Sequence, residues 1–376
     1  MNKRWLLTIA ALSLLLTNYR APLRAENSAP QGMPAASSDR PDSCTSFCLD
    51  NAGHPVFGAN YDHHISEGLV FVNKRNVAKT SWEPSTTGHY AEWVARYGSV
   101  TFSLAGYQMA WAGMNEAGLV ISTMALSPTE SPAPDERPPL AAGFWMQYVL
   151  DTCATVQEVI ATDAVVRIAD VVDHYLVCDA TGECAVLEFL GGEMVCHTGK
   201  DLPVKALTNN TYVESVRWWQ RPRLLKWLDR LLKRPEPSHS LLRFETAAES
   251  VRSFQRGAAQ PAVEYAFDTL RAASSSATQW SIVFDIYERQ VLFRTKSNTW
   301  IRQIDFSALD FSCESPVRML DIHEKWSGDV TDDLVEYSHQ ANLDHMTQAL
   351  AKWGVQVSQE TLEDWVHHVE NFACVE

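Results

Sequence analysis

After its first 25 residues the chain has no apolar run long enough to cross a bilayer, which takes roughly 20 residues. Positive charge is also scarce. Thirty-one Lys and Arg stand against 46 Asp and Glu, a formal net charge of -15. That balance argues against a DNA- or RNA-binding role, which needs clustered Lys and Arg. Charged residues make up only 20% and hydrophobic residues 46%, which excludes global disorder and allows a sizeable core. The 376 residues are enough for one large domain or two ordinary ones, and no internal repeat divides them. The cysteines match no standard zinc finger or ribbon spacing.

What is present begins with a leader. Lys3 and Arg4 precede the short apolar run WLLTIAALSLLL, and Leu23-Arg24-Ala25 offers a small residue for cleavage. Residues 1–25 read as a signal peptide, so export to the periplasm or beyond the cell is expected. Residues 26–43, ENSAPQGMPAASSDRPDS, are rich in Pro, Ser and Ala without apolar periodicity, and read as a linker or pro-segment. Eight cysteines follow, and an exported protein can form disulfides. Cys178 and Cys184 flank the turn-like DATGE, and Cys313 and Cys374 are placed to tie down the C-terminal segment. Sequence alone does not fix either pairing.

Short runs rich in β-branched and aromatic residues, such as CTSFCLD, HPVFGANYD, LVFVNKR and GLVISTMAL, predict strands from residue 44 to about 123. A loop with five prolines spans 127–139. Helices are expected at 140–153 and 155–165, with Thr155 as N-cap. A second strand group follows, then helical patterns at RWWQRPRLLKWLDRLLK, 240–255 and 262–273, then three closing strands. The alternating blocks predict an α+β protein with two antiparallel sheets and helices outside them. Residues 313–376 read as a helical C-terminal extension. RWWQRPRLLKWLDRLLK is a basic amphipathic pattern, readable as a membrane-surface helix. The preferred reading is a packed helix whose basic residues reach into solvent.

The stretch PDSCTSFCLDNAGHPVFGANYDHH carries the chemistry. A cysteine attacks as thiolate and needs a base to become one. If the chain is cut before Cys44, its own α-amine lies beside the thiol. Such an amine titrates near pH 8, so part of it is neutral and can take the proton. Two other readings stay open on residues alone. Cys44 and Cys48 could be ordinary strand cysteines, one or both in a disulfide, or could join His63 and His64 at a zinc ion.

This stretch resembles the start of the choloylglycine hydrolase family, the linear-amide C–N hydrolases that include conjugated-bile-salt hydrolases and penicillin V acylases. The matching pieces are CTSF at 44–47, GANYD at 58–62, GMNEAGL at 113–119, LTNN at 207–210, SLLRF at 240–244 and the hairpin at 279–311. Their shared order and spacing carry the resemblance, which covers 44–312 and not 313–376. It implies an N-terminal nucleophile hydrolase fold, a four-layer αββα sandwich, and a homo-oligomer, tetramer or dimer. It implies Cys44 as nucleophile, Asp62 holding the amine and thiol in register, and Asn209 as oxyanion donor. Arg243 becomes an active-site arginine, and a backbone N–H at Ala125 the second oxyanion donor. The substrate implied is a small N-acyl amide, such as a bile salt, penicillin V or an N-acyl amino compound or lactone. No metal or organic cofactor is implied. A related acyltransferase, a ligand-binding member without turnover and a generic exported β-rich binding protein are the alternatives.

One position departs from the family pattern. Its arginine beside the Asn-x-Asp is Ala59 here, which removes a charge that would favour the thiolate. Arg75, Arg243, His63 and His64 are the candidates to replace it. Trp82, Trp111, Trp145 and Trp218 are available to line an apolar acyl pocket, although core packing accounts for most tryptophans.

Overall fold

The computed structural model describes residues 44–375, apart from 51–52, 82–90, 170, 172, 256–258 and 353–356. The leader, the spacer and Trp82 lie outside the described residues.

In chain order the first strands are β1 (Thr45–Leu49), β2 (Val56–Asp62), β3 (Leu69–Asn73), β4 (Val77–Thr80) and β5 (Glu92–Val94). Next come β6 (Ser99–Ser103), β7 (Ala110–Asn115), β8 (Val120–Ala125) and β9 (Pro139–Ala141). Helices α1 (Ala142–Thr152) and α2 (Val156–Ala161) lead to β10 (Arg167–Ala169), β11 (Asp173–Cys178), β12 (Cys184–Leu190), β13 (Glu193–Thr198) and β14 (Ala206–Leu207). Four helices follow: α3 (Tyr212–Gln220), α4 (Arg223–Leu231), α5 (His239–Gln255) and α6 (Ala262–Ala272). The chain then forms β15 (Thr278–Asp285), β16 (Gln290–Thr295), β17 (Arg302–Asp305), β18 (Arg318–Asp321), β19 (Gly328–Asp329) and β20 (Val335–Glu336). It ends with α7 (His339–Lys352), α8 (Gln359–Glu370) and β21 (Ala373–Cys374).

Two sheets stack face to face. One runs β14-β1-β2-β15-β16-β17-β19, the other β13-β12-β11-β8-β7-β6-β3-β18-β20. Their pairings are antiparallel except β17 with β19. Phe102 of the second sheet meets Phe284 and Phe293 of the first at 6.1 and 5.3 Å between ring centroids, so the space between the sheets is apolar core. On the outer face of the first sheet, α5 contributes Phe244, Ala247, Ala248 and Val251 at helical spacing. On the outer face of the second, Trp145 of α1 packs on Tyr175 and Phe189. The result is the expected αββα sandwich. Thr155 caps α2 in a capping box with Glu158.

Two regions differ from their sequence reading. The basic amphipathic stretch divides into α3 and α4 at Pro222, which has no N–H for a continuous helix and clashes with the preceding turn. The C-terminal extension supplies α7 and α8, but its first part completes the sheets. β18 pairs with β3, and β19 with β17. The helices are pinned to the second sheet's loops by His345 Nε2 on the Leu104 carbonyl (2.9 Å) and by the Tyr107 N–H on Asn342 Oδ1 (3.0 Å).

Both disulfides suggested by the sequence form, Cys178–Cys184 and Cys313–Cys374. The second closes a segment of 61 residues that includes β18, β19 and both helices. Cys374→Ser is expected to lower stability by up to roughly 4 kcal/mol through loop entropy. Urea unfolding of the variant checks this, and an unchanged midpoint would mean the sheet pairings alone hold the extension.

Candidate active site

The site is built first by strand register. Ser46 of β1 lies opposite Leu207 of β14. Two residues further along, the same register sets Cys44 across from Asn209. The Cys44 backbone N–H donates to Asn209 Oδ1 at 2.8 Å. Asn209 Nδ2 donates to the Ala125 carbonyl at 3.0 Å, and Arg243 Nη2 donates to Asn209 Oδ1 at 3.0 Å. These bonds fix which way the amide faces. Turned over, its NH2 group would meet two donors. β8 ends at Ala125, so that carbonyl comes from the second sheet while Cys44 and Asn209 belong to the first.

Arg243 rises from the first turn and a half of α5, beside the apolar stripe that seats this helix on the first sheet. It is 6% exposed. Its Nη1 donates to the Cys44 carbonyl at 2.5 Å and to Thr45 Oγ1 at 2.7 Å, and lies 3.8 Å from Asp62 Oδ2. Burial pulls the guanidinium below its ordinary value, and the charges of Asp62 and Cys44 pull it partly back. Asp62 closes β2, where Ser275 Oγ also reaches its Oδ2 at 3.5 Å. The structure thus brings Cys44, Asp62, Asn209 and Arg243 together, with Ala125 joining through its carbonyl oxygen.

Cys48 sits on β1 four residues from Cys44, and neither belongs to the two disulfides. Burial pushes the Cys48 thiol up to about 12, so it is a core residue and a poor nucleophile. Cys44, Cys48, His63 and His64 do not converge as metal ligands. His63 accepts the Ile65 N–H at Nδ1 and stacks on His64. The zinc reading therefore fails on geometry.

A family model described as linear amide C–N hydrolases, choloylglycine hydrolase family, matches residues 44–224. Residues 44–224, just under half of the chain, are thus similar to this family of linear amide C–N hydrolases. A penicillin V acylase from Pectobacterium atrosepticum is 25% identical over 257 residues, which is 61% of this chain and 66% of that relative, just under two thirds of its length. Among solved structures, a penicillin V acylase from Agrobacterium tumefaciens superposes with a TM-score of 0.67 at 24% identity, covering 78% of this chain and 98% of that one. A conjugated bile acid hydrolase from Clostridium perfringens superposes with a TM-score of 0.60 at 16% identity, over 76% and 98%.

Ala59, where the family pattern has arginine, is fully buried between the sheets. It lies opposite Ser46, whose hydroxyl hydrogen-bonds Ser122 of the second sheet at 2.7 Å. Of the candidates to replace the lost charge, Arg243 contacts Cys44 directly. Arg75 is committed to Glu116 at 2.5 Å. Tyr61 follows on β2 and pairs with Trp280 of β15, and both rings meet Trp111 of the second sheet. By register Tyr61 also lies across from Cys44, so an aromatic row borders the thiol. Trp145 packs in the outer core, and Trp218 donates to Glu245.

Sequence reasoning did not identify the residues behind Asn209. Ser240 Oγ accepts the Asn209 N–H at 2.9 Å and bonds Thr208 Oγ1 at 3.0 Å. Ser240 and Arg243 are three apart on one helix, a spacing that puts them on one face. His174 Nε2 lies 2.5 Å from the Thr208 carbonyl oxygen, and its Nδ1 3.0 Å from Glu188 Oε1. Glu188 also takes His197 at 3.1 Å and the Tyr212 N–H at 2.9 Å. The hairpin closed by Cys178 and Cys184 sets His174 opposite Glu188, a register the sequence contained.

Burial would raise the Glu188 carboxyl, but the hydrogen bonds from His174 and His197 outweigh it and bring it from 4.5 to about 2. A depressed carboxyl stabilises the fold above its unfolded value and loses that contribution as pH falls through the folded one. Glu188→Gln is therefore expected to destabilise by on the order of 3 kcal/mol at neutral pH. The gap should close as pH falls toward 2. Urea midpoints measured downward in pH check it, and a gap independent of pH would contradict it.

Proposed function

We propose that this chain hydrolyses a linear amide in a small N-acyl compound, using Cys44 as an N-terminal nucleophile through a thioester. The observation that carries the reading is the convergence of Asn209 and Arg243 on the backbone of Cys44 itself, with Asp62 3.8 Å from Arg243. In the uncut chain the Cys44 nitrogen is an amide donating to Asn209. Cleavage before Cys44 replaces it with an amine at the same place, which keeps that bond and gains a lone pair facing its own thiol.

The amine takes the thiol proton, and the thiolate attacks the acyl carbon. Negative charge builds on the carbonyl oxygen. Asn209 Nδ2 has a second hydrogen beyond the one given to Ala125, and the backbone N–H of Ala125 is assigned as its companion donor. The ammonium then protonates the departing amine nitrogen as the C–N bond breaks, leaving a thioester. Water, deprotonated by the same amine, releases the acid and restores the thiol. Arg243 and Asp62 act by position, holding β1 and the oxyanion donor in register.

The aromatic row of Tyr61, Trp111 and Trp280 suits an aryl or fatty acyl group, and the relatives named above make penicillin V the first compound to try, with bile salts and N-acyl lactones next. Export by residues 1–25 belongs to the same proposal. Ala59 favours a second reading, a ligand-binding member with little turnover, because it removes the cation that the family pattern places beside the thiol. An amine acceptor added to the assay separates hydrolase from acyltransferase by its product.

Cys44→Ala is expected to abolish turnover, by about a thousandfold or more, with its fold intact. A variant that still turns over penicillin V or another panel member at the wild-type rate would refute the assignment. Arg243→Lys keeps the charge but loses the forked contacts, and is expected to lower kcat by about a hundredfold. A wild-type kcat in that variant would remove Arg243 from the account.

A further inference from the structure

The helix α4 is amphipathic in sequence and inside out in the structure. On a helical wheel Leu224, Leu225, Trp227, Leu228 and Leu231 share one arc, and Arg223, Lys226 and Asp229 share the other. Lys226 and Asp229 of the polar arc face the protein, while Arg223 is exposed. Lys226 pairs with Glu245 at 2.8 Å and lies over the Trp218 ring, and Asp229 pairs with Arg221 at 2.7 Å. The apolar arc faces outward, with Leu224 65%, Trp227 56% and Leu231 62% exposed. The packed-helix reading of this stretch is thereby corrected. Its charges anchor it, and its leucines are in solvent.

The charge around this face is opposite to that of the chain. Residues 212–234 hold seven Lys and Arg against two acids, in a chain of net charge -15. Arg217, Arg223, Lys233 and Arg234 are exposed. We propose that α4 and its basic rim dock on an anionic lipid surface, with the helix lying in the headgroup plane. An apolar arc with a tryptophan and flanking Lys and Arg is what such a surface recognises. No helix among the described residues is long and apolar enough to cross a membrane, so the mode is surface attachment. Isologous pairing with a second copy would set these basic residues against each other. The acidic remainder of the chain is screened beyond about 10 Å at ordinary salt, so the local patch decides.

The segment is tied to the candidate site at both ends. It departs just after Asn209 and Asn210 and returns at Ser238, whose hydroxyl donates to Asn210 Oδ1 at 3.0 Å. Docking would place the site beside the lipid surface, where amphiphilic N-acyl compounds concentrate. The docking itself does not depend on the proposed catalysis and is expected to persist in Cys44→Ala.

The test is flotation of the purified full chain with vesicles of phosphatidylcholine and phosphatidylglycerol, against vesicles of phosphatidylcholine alone. Two paired variants accompany it, Trp227→Ser with Leu231→Ser, and Lys233→Glu with Arg234→Glu, each checked for fold by circular dichroism and for size by light scattering. The expected result is binding to the anionic vesicles only, weakened by high salt and by roughly tenfold or more in each paired variant. No binding of the folded wild type to anionic vesicles would overturn the proposal. So would equal binding by the wild type and both folded variants. A stable oligomer that ignores vesicles and dissociates in the Trp227/Leu231 variant would also overturn it, assigning the face to a second copy.

Discussion

Arg243 is almost entirely out of water, and a buried guanidinium is costly unless its protons are met. Here its two Nη groups are met by Cys44, by Thr45 at the start of β1 and by Asn209 across from them. The Cys44 carbonyl, the Thr45 hydroxyl and the Asn209 side-chain oxygen all take its N–H groups, and Asp62 supplies opposite charge at 3.8 Å. One side chain therefore joins α5, β1, β2 and the end of β14. It also sets the amide of Asn209, since the oxygen that accepts from Arg243 and from Cys44 leaves Nδ2 directed at Ala125. The placement of the Cys44 nitrogen and of the Asn209 amide follows from satisfying that cation.

The layers around it are arranged to keep this geometry rigid. Ser240 holds the Asn209 backbone from the helix side. His174 holds the Thr208 carbonyl from the second sheet, backed by Glu188. Both supports reach Thr208, from opposite faces of the first sheet. Ala59 changes the electrostatics of this arrangement and leaves its framework alone. Where the family pattern puts a cation between the sheets, this chain has a methyl group opposite the Ser46–Ser122 hydrogen bond. Arg243 is then the cation that contacts Cys44, at its carbonyl oxygen.

Much of this was legible in the residues. Alternating β-branched runs identified the strands, and the order CTSF, GANYD, LTNN, SLLRF placed the four converging side chains. Local rules read Thr155 as a cap, and the DATGE turn suggested the disulfide across it. What was missed depended on partners distant in sequence. His174 and Glu188 meet only because a hairpin fixes their register, and each looks like an ordinary strand residue alone. Ser240 was readable from its spacing to Arg243, but only once Arg243 was known to point inward. The outward leucines of α4 inverted the usual rule that an amphipathic helix packs by its apolar face. Residue pattern gives the two faces of such a helix, and tertiary contacts such as Lys226 with Glu245 decide which one turns in. The short strands β18 and β19 were hidden for a similar reason, since two to four residues acquire strand geometry only from the neighbour they pair with.

The central claim is that Cys44 becomes the first residue of the working protein. Intact mass and N-terminal sequencing of the purified wild type, beside Cys44→Ala, test it most directly. The account predicts a wild-type chain that begins at Cys44 and a variant that keeps residues upstream of it. A catalytically active wild type that begins near Glu26, with Cys44 internal, would contradict it, because no α-amine would then stand beside the thiol.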